Sequence, residues 1–129
     1  YCKTIEEDAL IIRNIAQSLK TGGCFVLEMV GREIAVRDFT AGEWFERGGY
    51  TVLTEFTVEG AWEGLRSHWQ LYTKDGLRAD HTFVQRLYAA TELRQLMLSA
   101  GFTSVEIYGD FDRYPYNERA RTMILVGRK

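Results

Sequence analysis

The sequence predicts an α/β fold in which an antiparallel insert interrupts a core of helices and strands. Three observations support this prediction. Cys24–Val30 is a short, almost unbroken apolar run, which is typical of a strand covered on both faces. Residues 50–88 alternate with a period of two, which indicates antiparallel strands. Helical patterns precede the apolar run and follow the alternating segment.

The first helix has recognisable start and stop signals. Thr4–Glu7 has the pattern of a capping box, so we expect the helix to begin there. Lys20 would complement the dipole at the carboxyl end, and Gly22-Gly23 would permit a left-handed exit. The helix should therefore end near Lys20, immediately before the apolar strand.

The insert follows that strand. The mixed pattern from Arg32 to Arg47 predicts one irregular helix or two short ones. Period-two alternation with turn signals at Gly60 and Asp75-Gly76 then predicts three antiparallel strands. These strands are expected at Thr51–Glu59, Glu63–Thr73 and Arg78–Tyr88.

The register of the insert depends on its last turn. If Asp75-Gly76 forms a two-residue turn, a mixed polar and aromatic set shares one face and an apolar set shares the other. The first set is His68, Gln70, Tyr72, His81 and Phe83. The second set is Leu65, Trp69, Leu71 and Val84.

The remainder of the chain returns to the core. Thr91 is expected to cap a second helix, which Gly101 closes. Two further strands follow at Thr103–Tyr108 and Thr122–Gly127, joined by a loop that begins at Gly109. With 129 residues, one domain fits: a core of residues 1–31 and 89–129, with an insert of residues 32–88.

Composition narrows the possible partners. Sixteen Lys and Arg against eighteen Asp and Glu give a charge of -2, which argues against nucleic acid or an anionic membrane as a partner. No apolar stretch is long enough to span a bilayer, and Cys2 and Cys24 are interpreted as buried or idle thiols, so we expect a cytoplasmic protein. The chain opens on Tyr1 without a methionine, which suggests a fragment.

Several segments resemble one family. Leu19–Gly23 followed by Phe25–Leu27 resembles the turn into the fifth core strand of class I, Rossmann-like methyltransferases that use S-adenosylmethionine (SAM). Arg86–Tyr88, Thr91–Leu93 and Ala100–Phe102 resemble the stretch through the last helix into the sixth strand of that family. The resemblance implies the carboxyl-terminal part of the family's sheet.

The end of the chain extends the resemblance. Tyr108–Asp112, Pro115-Tyr116 and a closing strand before Arg128-Lys129 look like the members that act on small molecules. The implied fold is the carboxyl-terminal half of a methyltransferase: strands 5, 7 and 6 with their helices and an inserted three-stranded lid sheet. The three core strands should then share one sheet, with the last one antiparallel between the other two.

The parts of the family that hold SAM lie upstream of the matched segments. The sequence contains no GxG triplet, and Gly22-Gly23 is explained as a helix stop. The resemblance therefore implies SAM as the cofactor of a full-length enzyme and no SAM binding by this chain alone. It also implies an open edge at residues 24–30, for which we expect a homodimer.

The resemblance places two candidate regions for a small-molecule acceptor. Ligands of open α/β sheets bind beyond the carboxyl ends of the parallel strands. Arg32 follows the first core strand, and Tyr108, Asp110 and Tyr116 follow the second. The lid adds His68 and Arg86.

Each candidate also has a simpler interpretation. Arg86 is as often an ordinary surface ion pair as a carboxylate ligand. Asp110 and Asp112 could instead bond amides within their own turn. A metal site at His68 and His81 is rejected, because no third ligand stands at a suitable spacing, and no catalytic residue is identified.

Three functions remain open. The leading one is the acceptor-binding and lid portion of a SAM-dependent methyltransferase, inactive alone. The rival is a ligand-binding or dimerisation module that keeps the scaffold without activity. The third is an unrelated ligand-binding α+β domain, which requires the insert sheet to be the main sheet.

Overall fold

A computed structural model describes residues 4–129. Within that range the chain forms two compact units. The insert unit is Asp38–Leu87, and the core unit joins residues 4–37 to residues 88–129. No helix in the described range is long and apolar enough to cross a bilayer.

Six helices and strands make up the described part of the core unit, and four strands make up the insert unit. The core elements are α1 (Ile5–Ser18), β1 (Cys24–Met29), α2 (Arg32–Arg37), α3 (Ala90–Ser99), β6 (Ser104–Tyr108) and β7 (Met123–Arg128). The insert strands are β2 (Gly42–Arg47), β3 (Tyr50–Glu59), β4 (Gly64–Thr73) and β5 (Gly76–Arg86).

The capping box at the start of α1 is confirmed. The Glu7 amide donates to the Thr4 hydroxyl (3.3 Å), and the Thr4 amide donates to the Glu7 carboxylate (3.4 Å). Gly22 has a φ of 77°, as a left-handed exit requires. The expected role of Lys20 is wrong, because α1 ends at Ser18 with no basic residue in its last turn.

A distant lysine stabilises the end of α1 instead. Lys129 Nζ donates to the carbonyl oxygens of Gln17 (3.3 Å) and Leu19 (2.7 Å). These carbonyls belong to the group that a helix leaves unpaired at its carboxyl end. The contact therefore places the positive charge where the helix dipole favours it.

The core sheet has the order β1-β7-β6, and both pairings are antiparallel. β1 and β6 are consequently parallel to each other with β7 between them. This confirms the sheet that the methyltransferase resemblance requires. It also brings the carboxyl ends of β1 and β6 to the same edge.

One face of the core sheet is packed and the edge strand is partly open. Met97, Met123 and Leu125 are fully buried in the cluster that α1 and α3 form against the sheet. β1 alternates between exposed and half-buried residues, and Val26 is 55% exposed. The expectation of a strand covered on both faces is therefore wrong within this chain.

The structure describes one of the two cysteines, Cys24. Cys24 is free and exposed, so of the two interpretations left open, a buried thiol and an idle one, the buried one does not apply. Its side chain lies on the same uncovered face of β1 as Val26, because alternate strand residues share a face. Cys2 lies outside the described residues.

The start of α3 differs by one residue from the prediction. The helix begins at Ala90, so Thr91 lies inside it and does not cap it. Glu92 supplies the capping contact by accepting a hydrogen bond from the Ala89 amide (2.9 Å). Gly101, with a φ of 110°, follows the end of the helix as expected.

The insert sheet has the order β2-β3-β4-β5 in the described chain, with every neighbouring pair antiparallel. β2 is a strand where the sequence predicted a helix, so the sheet has four strands rather than three. Its short run mixes Trp44 and Phe45 with charged residues, which obscures the alternation. Trp44 is 69% exposed at this outer position.

The predicted faces of β4 and β5 are partly wrong. The predicted turn at Asp75-Gly76 is wrong, because Thr73 pairs with Gly76 and the turn residues are Lys74 and Asp75. With this turn and a bulge between Leu71 and Tyr72, His68 pairs with Thr82 rather than with Phe83. A shift of one residue moves a side chain to the opposite face. His81 and Phe83 therefore lie on the face opposite His68, whereas Val84 shares the face of His68.

Candidate functional site

A cleft in the core unit follows the carboxyl end of β1. It has a volume of about 460 Å³ and lies between α2, the first turn of α3 and the loop after β6. Small-molecule sites commonly have volumes of roughly 300–1,000 Å³. The lining residues are Glu33, Ile34, Arg37, Ala90, Thr91, Tyr116, Asn117 and Glu118.

Glu33 joins three segments of the cleft. Its Oε2 accepts a hydrogen bond from the Tyr116 hydroxyl (2.9 Å), and its Oε1 accepts one from the Ala90 amide (3.3 Å). Ala90 is the first residue of α3, where the helix dipole favours a negative charge. The carboxylate is thus held in place while the residue stays exposed to the cleft.

The Tyr116 hydroxyl acts as a hydrogen-bond donor because it keeps its proton. Partial burial and the neighbouring Glu33 carboxylate raise the pKa of its phenol well above the ordinary value of 10.0. The hydroxyl therefore stays protonated in neutral solution. Gly31 makes this position possible, because a Cβ there would overlap the Tyr116 oxygen.

Arg37 holds the loop between β6 and β7, which forms one side of the cleft. Its Nη1 donates to the carbonyl oxygen of Glu118 (2.6 Å), and its Nη2 donates to that of Ala120 (2.9 Å). Both acceptors belong to the loop between β6 and β7. The guanidinium thus holds against α2 the loop that carries Tyr116.

Of the six residues predicted to bind an acceptor, Tyr116 lines the cleft. Arg32 begins α2, and its Nη2 lies 2.9 Å from a carboxylate oxygen of Glu92. Tyr108 ends β6 and forms a bridge with Pro115. The structure places these two in the core unit but outside the lining of the cleft.

Asp110 makes hydrogen bonds within its own turn, as the simpler interpretation of this residue expects. Its Oδ1 accepts hydrogen bonds from the amides of Asp112 (2.9 Å) and Tyr114 (3.2 Å). This is the turn geometry that aspartate commonly adopts in loops. The side chain therefore orders the loop that leads to Tyr116.

His68 and Arg86 lie in the insert unit. His68 Nε2 is 2.8 Å from Asp80 Oδ1, and Nδ1 is 3.1 Å from Glu55 Oε2. Hydrogen bonds to Glu55 and then Asp80 raise the pKa of His68 above its ordinary value of 6.5. Arg86 pairs with Gly64 at the end of β5.

Sequence reasoning missed the central group of the cleft. Glu33 follows β1 by only a few residues, and a carboxylate directly after a predicted parallel strand is a signal that could have found it. Arg37, Asn117 and Glu118 were missed as well, since Asn117 and Glu118 occur in an irregular loop without a motif. Thr91 was noted only as a helix cap.

Two glycines of the core unit have neighbours that explain why no side chain stands there. A strand followed by glycine and a helix occurs at Gly31, where a Cβ would overlap the Tyr116 hydroxyl oxygen. At Gly23 a Cβ would lie 2.7 Å from the Lys20 carbonyl oxygen, so this glycine serves the local turn. Both glycines thus have a structural explanation within the described residues.

Solved methyltransferases share this fold. The CcbJ methyltransferase of Streptomyces caelestis matches 95% of this chain and 53% of its own, with a TM-score of 0.77 and 21% identity. The sugar N-methyltransferase KedS8 of a Streptoalloteichus species matches 100% and 52%, with a TM-score of 0.65 and 22% identity. CalS10, a SAM-bound amino pentose methyltransferase of Micromonospora echinaspora, matches 99% and 53%, with a TM-score of 0.64 and 19% identity.

The chain matches these solved proteins in fold, and it matches only part of each of them. No family model matches the sequence, and neither does any curated protein. The chain spans about half the length of the solved chains that it matches. Residues 4–129 therefore have the α/β fold of about half of a Rossmann-like methyltransferase chain.

Proposed function

We propose that this chain is the acceptor-binding and lid portion of a SAM-dependent methyltransferase that acts on a small molecule. The observation that carries the proposal is the position of the cleft. It lies beyond the carboxyl end of β1, in a sheet whose order β1-β7-β6 matches the resemblance. Ligands of open α/β sheets bind in this position.

The structural neighbours support a small polar acceptor. KedS8 is a sugar N-methyltransferase, and CalS10 acts on an amino pentose. A cleft of about 460 Å³ has room for one sugar-sized molecule. We propose that Tyr116 binds the acceptor in the cleft. Acceptor binding by Arg32, His68, Arg86, Tyr108 and Asp110, which do not line the cleft, stays a prediction.

Acceptor binding can be tested on the chain as it stands. A ¹H–¹⁵N NMR titration with glucose and glucosamine should shift the amide resonances of Glu33, Ala90 and Tyr116. The control variant Glu33→Trp places a bulky ring in the cleft and should abolish these shifts. If neither sugar shifts the cleft resonances of the wild-type chain, the proposed function is wrong.

We further propose that the chain alone neither binds SAM nor transfers a methyl group. The proposal is supported at Gly31, the glycine that follows β1, where a Cβ would overlap the Tyr116 hydroxyl oxygen. Isothermal calorimetry with SAM should show no heat of binding. Micromolar affinity would contradict this proposal.

The alternative function is a binding or dimerisation module. The edge of β1 supports a homodimer, because it exposes Val26 and Cys24 and has no second neighbour in the described sheet. Analytical ultracentrifugation should show a dimer that Val26→Lys dissociates. Leu98→Lys, at an exposed position of α3, is the matched control and should leave it intact. A wild-type monomer at high concentration would rule the dimer out.

The exposed thiol of Cys24 supports a reducing compartment, and we propose the cytoplasm. Alkylation in intact cells, before lysis, should label Cys24 fully. A disulfide-linked or otherwise oxidised Cys24 in that experiment would contradict the proposal.

A further inference from the structure

The charge in the cleft is unbalanced. Glu33 and Glu118 contribute two carboxylates to its lining, and Arg37 contributes the single guanidinium among the described lining residues. Arg37 donates to carbonyl oxygens of the loop. No cationic side chain within residues 4–129 forms an ion pair with Glu33.

The contacts of Glu33 leave it able to bind a ligand. Each carboxylate oxygen accepts one hydrogen bond from the protein, from Tyr116 on one side and Ala90 on the other. A carboxylate offers about four lone-pair sites, so both oxygens keep acceptor capacity towards the cleft. Because two donors fix its position, little side-chain freedom is lost when a ligand binds.

We propose that Glu33 makes the cleft selective for acceptors that carry a protonated amino group. An ammonium group donates up to three hydrogen bonds and balances the carboxylate charge, whereas a hydroxyl donates one and balances none. Besides binding the acceptor, Tyr116 positions Glu33 in this scheme, since its hydroxyl donates to Oε2. The inference rests on the proposed function, because it concerns the same cleft.

The charge of the cleft favours an ammonium ligand over an anionic ligand. A phosphate or carboxylate ligand would meet Glu33 directly, and like charges at short distance destabilise binding. The amides at the start of α3 attract anions, but the Ala90 amide already donates to Glu33. The cleft therefore presents negative charge to its ligand.

The test compares two probes that differ by one functional group. Glucosamine carries an amino group where glucose carries a hydroxyl, so NMR titrations at slightly acidic pH measure the effect of the ammonium alone. A hydrogen bond to a charged group predicts an affinity for glucosamine about tenfold higher than for glucose. In Glu33→Gln, which keeps the shape and one acceptor oxygen, the two affinities should become equal.

The controls separate charge from structure. Glu106→Gln removes the same charge from an exposed position on β6 outside the cleft, and it should leave the preference unchanged. Equal affinities for both sugars in the wild-type chain, or a preference that survives Glu33→Gln, would overturn the inference while leaving the cleft as an acceptor site. Binding of neither sugar would overturn the proposed function as well.

Discussion

Nε2 of His68 lies 2.8 Å from Oδ1 of Asp80, across the β4–β5 pair of the insert sheet. On the other side, Nδ1 of the same ring lies 3.1 Å from a Glu55 carboxylate oxygen on β3. A ring that is protonated on both nitrogens can donate to both carboxylates at once. One imidazole thus links three strands, and only its charged form makes both contacts.

The first prediction concerns this link and pH. Because hydrogen bonds to Glu55 and Asp80 raise the pKa of His68 above 6.5, its stabilising effect is complete below that value. The effect is lost as pH rises through the higher pKa of the folded state. Urea unfolding midpoints of the wild-type chain should therefore fall as the pH is raised from 6 to 8.

Two variants test that assignment. His68→Asn should remove the decrease, whereas His81→Asn, on the opposite face of the sheet, should retain it. Asp80 predicts a second decrease in stability, at acid pH. Hydrogen bonds from Gln70 and then His68 lower the pKa of its carboxyl below 3.8, so its stabilising effect is lost as the pH falls. An identical pH profile for both histidine variants would refute the role of His68.

The second prediction concerns Tyr116→Phe. The substitution removes the hydroxyl that donates to Glu33 over 2.9 Å, and we expect a loss of about 1 kcal/mol in the free energy of unfolding. Tyr114→Phe is the matched control, since Tyr114 is 65% exposed, and it should change stability by less than about 0.5 kcal/mol. Equal losses in urea unfolding would contradict the Tyr116–Glu33 contact.

The third prediction concerns Gly127 in β7. An added Cβ would lie 2.7 Å from both Met97 Cε and Phe102 Cδ1, in the packed core. Overpacking of this kind predicts that Gly127→Ala costs about 1–3 kcal/mol in urea unfolding.

A double-mutant cycle checks the cause. Met97→Ala frees the volume that the new methyl group would occupy, so the double variant should lose less stability than the sum of the two single variants. Strict additivity would show that steric overlap with Met97 does not cause the loss.

The fourth prediction concerns the capping box of α1. Thr4→Ala removes the hydroxyl that accepts from the Glu7 amide, and it should cost about 1 kcal/mol of stability. Thr4→Ser keeps the hydroxyl and should retain most of that stability. Urea unfolding followed by circular dichroism measures both, and an equal loss in the two variants would contradict the cap.

Local signals predicted much of the fold. The Thr4–Glu7 pattern and the glycines at Gly22 and Gly101 specify helix ends through contacts within a few residues, and the structure confirms them. β2 escaped prediction because its hydrophobic residues Trp44 and Phe45 are adjacent, so they point to opposite faces and give no alternation.

Register and cleft geometry depend on contacts that sequence patterns do not encode. The bulge between Leu71 and Tyr72 changes which residues face each other, although the turn residues themselves look ordinary. Glu33 and Tyr116 are 83 residues apart, and no sequence pattern links the two. Similarly, Lys129 rather than Lys20 serves the end of α1, because the folded chain brings it there.

The order of the core sheet has a kinetic consequence. β7, the strand between β1 and β6, follows both of them in the chain, so neither outer strand can pair until Met123–Arg128 has been synthesised. Pairing Cys24 with Arg128 closes a long loop, and such distant contacts form slowly. Until β7 has left the ribosome and paired, the apolar side of β1 is thus available to chaperones.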